Sequence, residues 1–589
     1  MAVATDVECG RAFSPVAVRC GGGTGIITLS EMGDLVYTPH PRIRSSELLG
    51  ASLEPSGGLT VWYAREYSTR TGCVEKKRYR VHSTRRFQAA DPAAAASLVH
   101  HIRSAHSWWG RAAPPHVAAI VNPVSGRGAA RRLLDSRLLP LLRDACGLRV
   151  SVHVTAAPMH AAELVRELRL TAGGQRPEAQ EEAKTQAAEH EEQQGGDGSV
   201  DLVMFVGGDG TMYEGLQGLF QRPDWSAARA VPLVPVPCGS GNGLAASAGL
   251  WDADTAAVAI CRGRTEPVDV ASVLQPPGNR FYCLLSVVYG SMANLDIGTE
   301  HLSAAASLRG GGSAAVGGAG AGLTSPSGVQ LAIPLLPEAP GDGQGASPSA
   351  MTHGSAAAAS RGAGAATGGS PEERLLPAGA GAKGSCAARH HGAGGTGAQL
   401  SDYPEGPPLP LLSELASLPS PLPDSPATLP PGWRQLPDSY AIFGAYNTQY
   451  LALGARANPG GYMGDGAWEV WQLDPGNGPE AVGIDGRGGS GGGGAGRDRG
   501  GRAGGRKRVA RGVRLRALKV LLGIEDGSFA QGGGVMEVTQ ARAMMFEQRD
   551  SATWTVLDGE RVPDRPLFLE VHPGLCRMLV SPHFREEGL

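Results

Sequence analysis

The sequence predicts an α/β protein whose main domain is a parallel sheet flanked by helices. Three observations carry this prediction. Over 113–270, short apolar strands alternate with glycine-rich loops and helical segments, a pattern typical of a parallel α/β sheet. Residues 25–112 and 432–582 are instead rich in strand-like segments. Long stretches rich in Gly, Ala, Ser and Pro separate the ordered parts.

Composition limits the class of protein. The chain has 589 residues, a formal net charge of −3 and nine cysteines. A charge this close to neutral gives no overall attraction to nucleic acid, so we expect no nucleic-acid partner. The cysteines form no Cys-x-x-Cys pair, which favours a reducing compartment. The sequence shows neither a secretory signal nor an apolar run of membrane-spanning length, so we expect a soluble, cytoplasmic protein that meets membranes only peripherally.

The N-terminal part is predicted to be a tail over 1–24 and a small β-rich module over 25–112. Short extended segments such as Leu59–Tyr63 alternate with turns, and Pro92–Trp109 has the apolar spacing of a helix. A strand-rich module closed by a helix is similar to the pleckstrin-homology fold. A β-extension packed onto the next domain is the alternative.

Four predicted strands of the main domain each end in a loop of small or polar residues. Ligands of open α/β sheets bind beyond the carboxyl ends of the strands, so these loops should form one composite site. Its candidate residues are Asn122, Ser125, Gly126, Thr155, Gly207, Gly208, Asp209, Gly210, Ser240, Gly241 and Asn242. The loops match neither the Walker A nor the Rossmann pattern, which indicates another type of nucleotide site.

The motif Gly207-Gly-Asp-Gly-Thr211 follows the third of these strands. Its glycines allow the backbone to approach a ligand closely, and a helix predicted over Tyr213–Gln221 would point its N-terminal amides at an anion. An aspartate at this place can bind Mg²⁺ or accept a proton. A tight turn without a ligand is the alternative. The motif favours phosphate chemistry.

Several motifs together resemble the catalytic domain shared by diacylglycerol, ceramide and sphingosine kinases. The matching residues are Asn122-Pro123-x-Ser125-Gly126, Gly207-Gly208-Asp209-Gly210-Thr211, Glu214, Arg222–Trp225, Gly239–Ala245 and Asp558-Gly559-Glu560. Within that superfamily, Arg222–Trp225 and Leu285–Glu300 are most similar to sphingosine kinases.

The resemblance implies an ATP-dependent lipid kinase in which Asp209 accepts the proton of the attacking hydroxyl. A carboxylate in reach of the hydroxyl also suits phosphoryl transfer on general grounds. The other implied nucleotide contacts are Asn122, Pro123, Ser125, Gly126, Thr155, Gly207, Gly208, Gly210, Thr211, Glu214, Ser240, Gly241, Asn242, Arg309, Asp558, Gly559 and Glu560. Mg²⁺ is expected because it neutralises charge on the transferring group; its ligands are unassigned.

Asp296 matches the family's headgroup-binding aspartate and bears on the substrate class. A sphingoid base carries an ammonium group that a carboxylate favours, whereas ceramide and diacylglycerol carry no cation. A strand-end aspartate in a local turn is the alternative. Family members place two basic residues near the nucleotide; Arg309 matches one, and Ser303 stands at the other position. Glu300 is either an accessory acid or merely exposed.

The predicted function is therefore phosphorylation of the primary hydroxyl of a sphingoid base. A ceramide or diacylglycerol kinase is the first alternative, and an NAD kinase, which shares a Gly-Gly-Asp-Gly string, is a more distant one. An inactive lipid-binding scaffold of the same fold is the alternative from a different class. The oligomeric state stays open.

Residues 310–431 and 475–512 are predicted to be disordered inserts, because their Gly- and Pro-rich composition cannot offset the entropy of ordering. The strand-like segments of 271–309 and 432–582 predict a second, β-rich domain, and the resemblance implies a β-sandwich that holds the lipid tail. The second insert contains the basic run Arg497–Arg511. A solvated loop explains this run, as would contact with RNA, anionic lipid or an import receptor.

Overall fold

The computed structural model describes residues 15–20, 23–38, 40–71, 75–171, 198–290, 293, 329–334, 398–415, 417–423, 428–436, 442–473, 511–530, 535–548, 555–563 and 565–584. These residues belong to one compact unit. In this part of the chain the strands form three sheets of seven, ten and six strands.

The N-terminal module is an antiparallel sheet closed by a helix. Its strands are β1 Val16–Cys20, β2 Gly23–Leu29, β3 Leu35–Tyr37, β4 His40–Ile43, β5 Leu48–Leu53, β6 Gly58–Thr71 and β7 Glu75–Ala89, in the order β4-β3-β2-β1-β7-β6-β5. Helix α1, Pro92–Ser107, begins after Asp91, whose side chain accepts hydrogen bonds from Ala93 N and Ala94 N. Leu98 and Ile102 of α1 pack into the core of this sheet.

The predicted tail over 1–24 is wrong at its C-terminal end. Strand β1 pairs with both β2 and β7, and Val16 and Val18 are buried in the core of the module. The strand is only five residues long. So short an alternation of apolar and polar residues is a weak signal in the sequence, and the pairing partners decide the conformation.

The parallel sheet predicted for the main domain is confirmed. Its strands are β8 His116–Val121, β9 Arg149–Val154, β10 Leu202–Gly207 and β11 Leu233–Pro237, in the order β11-β10-β8-β9. Val121 lies opposite both Val154 and Val206, and Gly207 lies opposite Pro237. The four carboxyl ends are therefore in register along one edge.

Short helices connect these strands. They are α2 Ser125–Gly128, α3 Ala130–Leu133, α4 His160–Glu167, α5 Asp209–Phe220, α6 Trp225–Ala228, α7 Gly243–Ser247 and α8 Ala253–Arg262, and α3 continues into π-helical turns at Leu134–Leu138 and Pro140–Ala145. In the described part of the chain, no helix is long and apolar enough to cross a membrane.

The remaining elements build the C-terminal half. They are β12 Thr265–Gln275, β13 Asn279–Cys283, β14 Ser286–Gly290, β15 Val329–Pro334, α9 Pro410–Ser413, β16 Trp433–Gln435, β17 Ile442–Tyr446, β18 Trp468–Leu473, α10 Arg511–Gly523, β19 Glu537–Ala541, β20 Ala543–Gln548, β21 Thr555–Leu557, β22 Glu560–Val562 and β23 Leu567–Leu579, with 3-10 turns at Leu400–Asp402 and Ser528–Ala530.

One ten-stranded sheet runs through both predicted domains. Its strands lie in the order β16-β15-β20-β23-β11-β10-β8-β9, and β12 pairs with β23 and with β13. Strand β23 is parallel to β11, where Leu233 lies opposite Met578, and antiparallel to β12 and β20. The domain boundary predicted at 270/271 therefore falls inside β12, and the hydrogen-bonded sheet does not break there.

The six-stranded sheet, in the order β19-β18-β17-β14-β21-β22, packs against part of the larger one. Phe443 and Trp468 from the smaller sheet share a core with Val273 and Leu569 from the larger sheet. On the other face of the smaller sheet, Ala517 and Val520 of α10 join a second cluster. Strands β14 and β17 are thus covered on both faces.

The prediction of disorder is wrong for two segments of 310–431 that the structure describes, strand β15 and the leucine-rich segment around α9. Strand β15 joins the large sheet. Farther along, a leucine-rich segment covers that sheet's outer face, with Leu409, Leu412, Leu415, Leu418 and Leu422 in one cluster with Phe568. Composition averaged over the whole stretch hid this short apolar segment, which gains its stability from the sheet. Most of the second insert, 475–510, lies outside the described residues, and α10 begins at its end.

Buried charges attach the N-terminal module to the main domain. Asp254 of α8 is 2% exposed, accepts hydrogen bonds from Arg137 Nε and Nη2 at 2.8 Å, and accepts one from His82 N of β7 at 3.1 Å. Burial raises the pKa of Asp254, but the bonds from His82 and Arg137 outweigh it and lower that pKa to about 2. Arg262 donates to the carbonyl oxygens of Ser45 and Leu48 at 2.9 Å.

We predict that Asp254→Asn lowers the free energy of unfolding by about 2 kcal/mol, because it removes the charge of a buried carboxylate that accepts hydrogen bonds from the half-exposed Arg137 and from His82. Urea denaturation at neutral pH measures this. The folded pKa lies below the ordinary one, so the wild-type contribution is present above pH 4 and is lost as the pH falls toward 2. The control is Asp135→Asn, which removes an exposed pair with Arg131 and should change stability by less than about 0.5 kcal/mol. Equal effects of the two variants would contradict the assignment.

Candidate active site

The loops after β8, β10 and β11 meet at the carboxyl edge of the parallel sheet. Gly208 and Gly239 are in backbone contact, and a Cβ at Gly239 would overlap Gly208. Gly126 has a φ of 61°, and a Cβ there would overlap the carbonyl oxygen of Cys238. Only glycine fits at such approaches, so loops from three strands form one surface.

Asp209 lies at the centre of this surface, between two helices. It is the first residue of α5, and its carboxylate accepts hydrogen bonds from the first amides of α7: Gly243 N to Oδ2 at 2.7 Å and Leu244 N to Oδ1 at 3.1 Å. The amino ends of helices carry partial positive charge, which stabilises a carboxylate and any anion beside it. Asp209 is partly exposed. The carboxylate is thus fixed in orientation and reachable from solvent.

Asn122 joins the first loop to α5. Its Nδ2 donates to Thr211 Oγ1 at 3.4 Å, and its Oδ1 accepts from Val124 N at 3.2 Å. The backbone N–H of Ser125 donates to Asn122 O at 3.2 Å, so the loop turns back at once. Pro123, Ser125 and Gly126 are partly exposed. The loop therefore presents its backbone at the same edge as Asp209.

Thr211 and Gly207 fit each other closely. A Cβ at Gly207 would overlap the Thr211 side chain, and Thr211 is 4% exposed. Buried this far, the Thr211 hydroxyl accepts the Asn122 hydrogen bond and packs the turn. Both residues therefore support the loops of the site from inside the protein.

The turn Ser240–Asn242 is closed by its own asparagine. Asn242 Oδ1 accepts from Gly239 N, and Nδ2 donates to Gly239 O, each at 2.8 Å. The Asn242 side chain is therefore used within the turn and is buried. Ser240 is exposed, and a Cβ at Gly241 would lie 3.2 Å from Asp209 Oδ2. The part of this turn that faces the site is Ser240 and Gly241.

Thr155 and Glu214 position the loop after β9. Thr155 is 8% exposed, and its N–H donates to Val121 O at 2.9 Å. Glu214 of α5 accepts a hydrogen bond from Ala161 N, in the first turn of α4, at 3.2 Å. Two exposed apolar side chains lie near here: Val124 in the loop after β8 and Met159 in the loop after β9. They offer a surface that suits an aromatic base.

The predicted direct nucleotide contact of Asp558 is corrected. Asp558 is 1% exposed, and its carboxylate accepts hydrogen bonds from the three consecutive backbone amides of residues 284–286 at 2.7, 2.8 and 3.0 Å. Burial raises the pKa of this carboxyl group, although the hydrogen bonds from the Cys283 thiol and from the backbone amides lower it. Asp558 thus fixes the entry into β14 from inside the protein.

Gly559, in the turn between β21 and β22, and Glu560, the first residue of β22, are both exposed. Glu560 lies beside the Asp209 turn, because a Cβ built at Gly210 would come within 2.8 Å of Glu560 Oε1. The residues of the Asp558-Gly559-Glu560 motif therefore differ in role. Asp558 is structural, and Glu560 places a second carboxylate beside the turn that contains Asp209.

A segment of the C-terminal half, which no sequence motif predicted, braces the site. Leu453 N donates to Gly241 O at 3.0 Å, and a Cβ at Gly243 would lie 2.6 Å from the carbonyl oxygens of Tyr450 and Leu451. These contacts are made by backbone atoms, so they leave no pattern of residue types. Asn447 is the one polar side chain named here that anchors the segment. It is fully buried and donates to Asp269 O and Leu284 O at 2.9 and 2.8 Å.

The predicted headgroup residue Asp296 lies outside the described residues, as do Glu300, Ser303 and Arg309. Ala293, three positions before Asp296, is described and is fully buried in the cluster between the six-stranded sheet and α10. Among the described residues, no group of three or more His, Cys, Asp or Glu side chains could hold a metal ion.

Comparison with known proteins identifies the class of this domain. Residues 116–273 match the diacylglycerol kinase catalytic domain. The chain is also similar to sphingosine kinase 2 of Homo sapiens, at 32% identity over 33% of this chain and 27% of that protein. Sphingosine kinase 1 of Arabidopsis thaliana is 30% identical over 32% of this chain and 34% of that protein. Sphingosine kinase B of Dictyostelium discoideum is 44% identical over 27% of this chain and 17% of that protein.

Residues 116–273 thus match the catalytic domain that the motifs predict, and the three relatives named here are sphingosine kinases. The matches span about a third or less of the length of these three relatives. A putative diacylglycerol kinase from Bacillus anthracis str. Sterne aligns over 80% of this chain and 99% of that one, at 14% identity and a TM-score of 0.40, a likeness too loose to bear on function.

We predict that Gly243→Ala lowers the free energy of unfolding by about 1–3 kcal/mol, because its Cβ would press on the carbonyl oxygens of Tyr450 and Leu451. Chemical denaturation measures the loss. Gly454→Ala in the same segment is the matched control, since a Cβ there meets nothing within 4 Å, and it should stay within about 0.5 kcal/mol of wild type. If Gly243→Ala left the free energy of unfolding unchanged, the backbone of Tyr450 and Leu451 would not constrain this position.

We predict that Asp558→Asn destabilises the fold by about 2–4 kcal/mol. Asparagine tolerates the positive φ of 49° at this position, so the change isolates the loss of a carboxylate that accepts three amides. The thermal midpoint and denaturant titrations both report the effect. Glu560→Gln, which is exposed, serves as the control and should leave stability within about 0.5 kcal/mol. If the two variants were equally stable, the buried role of Asp558 would be wrong.

Proposed function

We propose that this protein transfers the γ-phosphate of ATP to the primary hydroxyl of a sphingoid base. The observation that carries the proposal is the partly exposed Asp209 carboxylate, fixed by helix amides where the loops of three parallel strands meet. The names of the relatives and the matching catalytic domain support the same reaction. Ceramide or diacylglycerol phosphorylation is the nearest alternative.

In this mechanism Asp209 accepts the proton of the lipid hydroxyl as that oxygen attacks the phosphate. Two hydrogen bonds hold its carboxylate from the α7 side, so the hydroxyl approaches from the open side. A positioned carboxylate base contributes about 10²–10⁴-fold to such a step. The amino ends of α5 and α7 also stabilise negative charge on the transferring group.

The ATP phosphates would lie on the glycine loops at this edge. Gly126, Gly208 and Gly239 approach other backbone so closely that the surface there is main chain, which suits hydrogen bonding to phosphate oxygens. Ser240 and Gly241 would close the phosphate site from the other side. Arg309 stays a proposed contact from the sequence.

The residues present also fit a magnesium ion carried in with the nucleotide. Mg²⁺ at such sites takes one or two protein carboxylates together with phosphate oxygens, and Asp209 and Glu560 flank the same turn. The bound ion would neutralise charge on the phosphates. Holding the ion would leave Asp209 one oxygen for the proton of the hydroxyl, so Glu560 is the better candidate ligand.

We assign the lipid to the C-terminal half. The two packed sheets would form the β-sandwich that holds the lipid tail, since they share an apolar core lined by Phe443 and Val273. Asp296 would bind the ammonium group of the headgroup. The seven-stranded module with its closing helix would be the pleckstrin-homology-like part, and we expect a cytoplasmic protein that associates peripherally with membranes.

We predict that Asp209→Asn abolishes phosphate transfer, with a loss of about a thousandfold, while the protein stays folded and still binds ATP. Radiolabelled ATP with Mg²⁺ is offered with sphinganine, ceramide or diacylglycerol side by side, and an ATP-induced rise in thermal midpoint reports nucleotide binding. The exposed Asp135→Asn is the control and should retain wild-type turnover. Near-normal turnover in Asp209→Asn would remove it as the base, and absence of label on every lipid in the wild type would favour the scaffold.

We predict that Asp296→Ala weakens the use of sphinganine at least tenfold, mainly in KM, because a carboxylate opposite an ammonium is lost. The same lipid panel checks it. Transfer to diacylglycerol, if any occurs, should be unchanged, because that lipid carries no cation. An equal loss on both lipids would mean that Asp296 serves the fold or the chemistry rather than the headgroup.

A further inference from the structure

Helix α10 presents a stripe of leucines to solvent. Leu515, Leu518 and Leu522 are 68%, 49% and 76% exposed, and their spacing places them along one side of the helix. The opposite side, with Ala517 and Val520, is buried against the six-stranded sheet. The helix is therefore apolar on two sides, and packing accounts for only one of them.

The exposed leucines line a groove of about 310 Å³. Its floor and walls are completed by Gly523, the last residue of the helix, and by Ser528 and Phe529, which follow it in the chain. Leucines this exposed cost free energy in water, because apolar surface is stabilised by burial at about 25 cal/mol per Å². A surface of this kind is expected to have an occupant.

The charge around the stripe indicates which occupant. Among the α10 side chains that the structure describes, Arg516 and Lys519 are basic and none is acidic. Lys519 is exposed and lines the leucine groove. Glu525 and Asp526 come only after the helix has ended. Apolar residues beside basic ones on a surface helix suit an anionic bilayer, whose headgroups attract the cations while its acyl region accepts the leucines.

The same charge disfavours a second copy of this chain. In a symmetric pair the stripe of one copy would meet the stripe of the other, which would bring two sets of basic residues together. Like charges at an interface oppose association. A bilayer containing anionic lipid satisfies both the leucines and the basic residues.

The position of α10 connects it to the candidate site. Ile524, directly after the helix, accepts a hydrogen bond from Arg456 N at 2.6 Å. Arg456 follows the segment whose Leu453 N donates to Gly241 beside Asp209. The buried side of α10 also shares its cluster with Ala293, three positions before Asp296. Helix α10 is therefore connected, through these hydrogen bonds, to the segment that contacts the Asp209 site.

We infer that α10 docks this protein onto anionic membranes by inserting Leu515, Leu518 and Leu522, with Lys519 at the headgroup level. The inference rests on the peripheral association proposed above and names the surface that performs it. It does not depend on the identity of the lipid substrate. The basic run before α10 adds to the attraction only as net charge.

The test is co-sedimentation of the full-length protein with phosphatidylcholine vesicles, with and without phosphatidylserine. The expected result is binding only when phosphatidylserine is present, weakened by salt. Leu515→Ser/Leu518→Ser/Leu522→Ser should reduce vesicle partition about a hundredfold, because three side chains no longer insert. Lys519→Glu should reduce it about tenfold.

The matched control replaces three exposed apolar residues elsewhere. Ile26, Met32 and Val81 are 54%, 81% and 44% exposed on the N-terminal module. Ile26→Ser/Met32→Ser/Val81→Ser should bind vesicles as the wild type does. Thermal midpoints of both triple variants should match wild type, since all six side chains are exposed.

Three results would overturn the inference. If the wild type binds vesicles and the α10 triple variant binds equally well, another surface docks and peripheral association survives. If the wild type binds no vesicles of either kind, both the surface and the proposed association fail. If the wild type is a dimer on gel filtration and the α10 triple variant is a monomer, a second copy covers the stripe instead.

Discussion

The two hydrogen bonds from the first amides of α7 to the Asp209 carboxylate are the interaction on which the site depends. They fix the direction of the carboxylate and bring the loops after β10 and β11 together. They require Gly243 to stay in place, and Gly243 is pressed between Asp209 and the carbonyl oxygens of Tyr450 and Leu451. A residue from the parallel sheet is thus held in position by the C-terminal half, and the chemistry of one part needs the packing of the other.

The continuous sheet explains how the C-terminal half can hold this position. Strand β23 pairs with β11 of the parallel group and with β12 and β20 of the antiparallel group. Buried Asp269 on β12 adds a connection, because it accepts amides from Gly466 and Gly574 at 2.6 Å. Burial raises the pKa of Asp269 to about 6, although those amides lower it, so this junction carries a cost near neutral pH.

Composition predicted the ordered parts better than their edges. The Gly- and Pro-rich stretches were treated as uniform, yet β15 and the leucine segment around α9 lie within one of them. Glu570 of β23 shows why: its buried carboxylate accepts the amides of Leu411 and Leu412 at 3.0 and 2.9 Å, which fixes that segment on the sheet. Such stability comes from a partner far away in the chain, so the leucines of the segment are visible in the sequence but the surface that orders them is not.

The sequence alone determined the parallel sheet and the place of the Asp209 loop, because the alternation of strand, loop and helix has one geometric solution in which the carboxyl ends line one edge. Its motifs also pointed to the diacylglycerol kinase catalytic domain that residues 116–273 match. Only the tertiary structure decided that Asp558 is buried while Glu560 faces the site, and that backbone atoms of Tyr450–Leu453 brace the α7 turn. Those outcomes depend on contacts between main-chain atoms remote in sequence, which any residue type can make and which therefore leave no signature in the order of the residues.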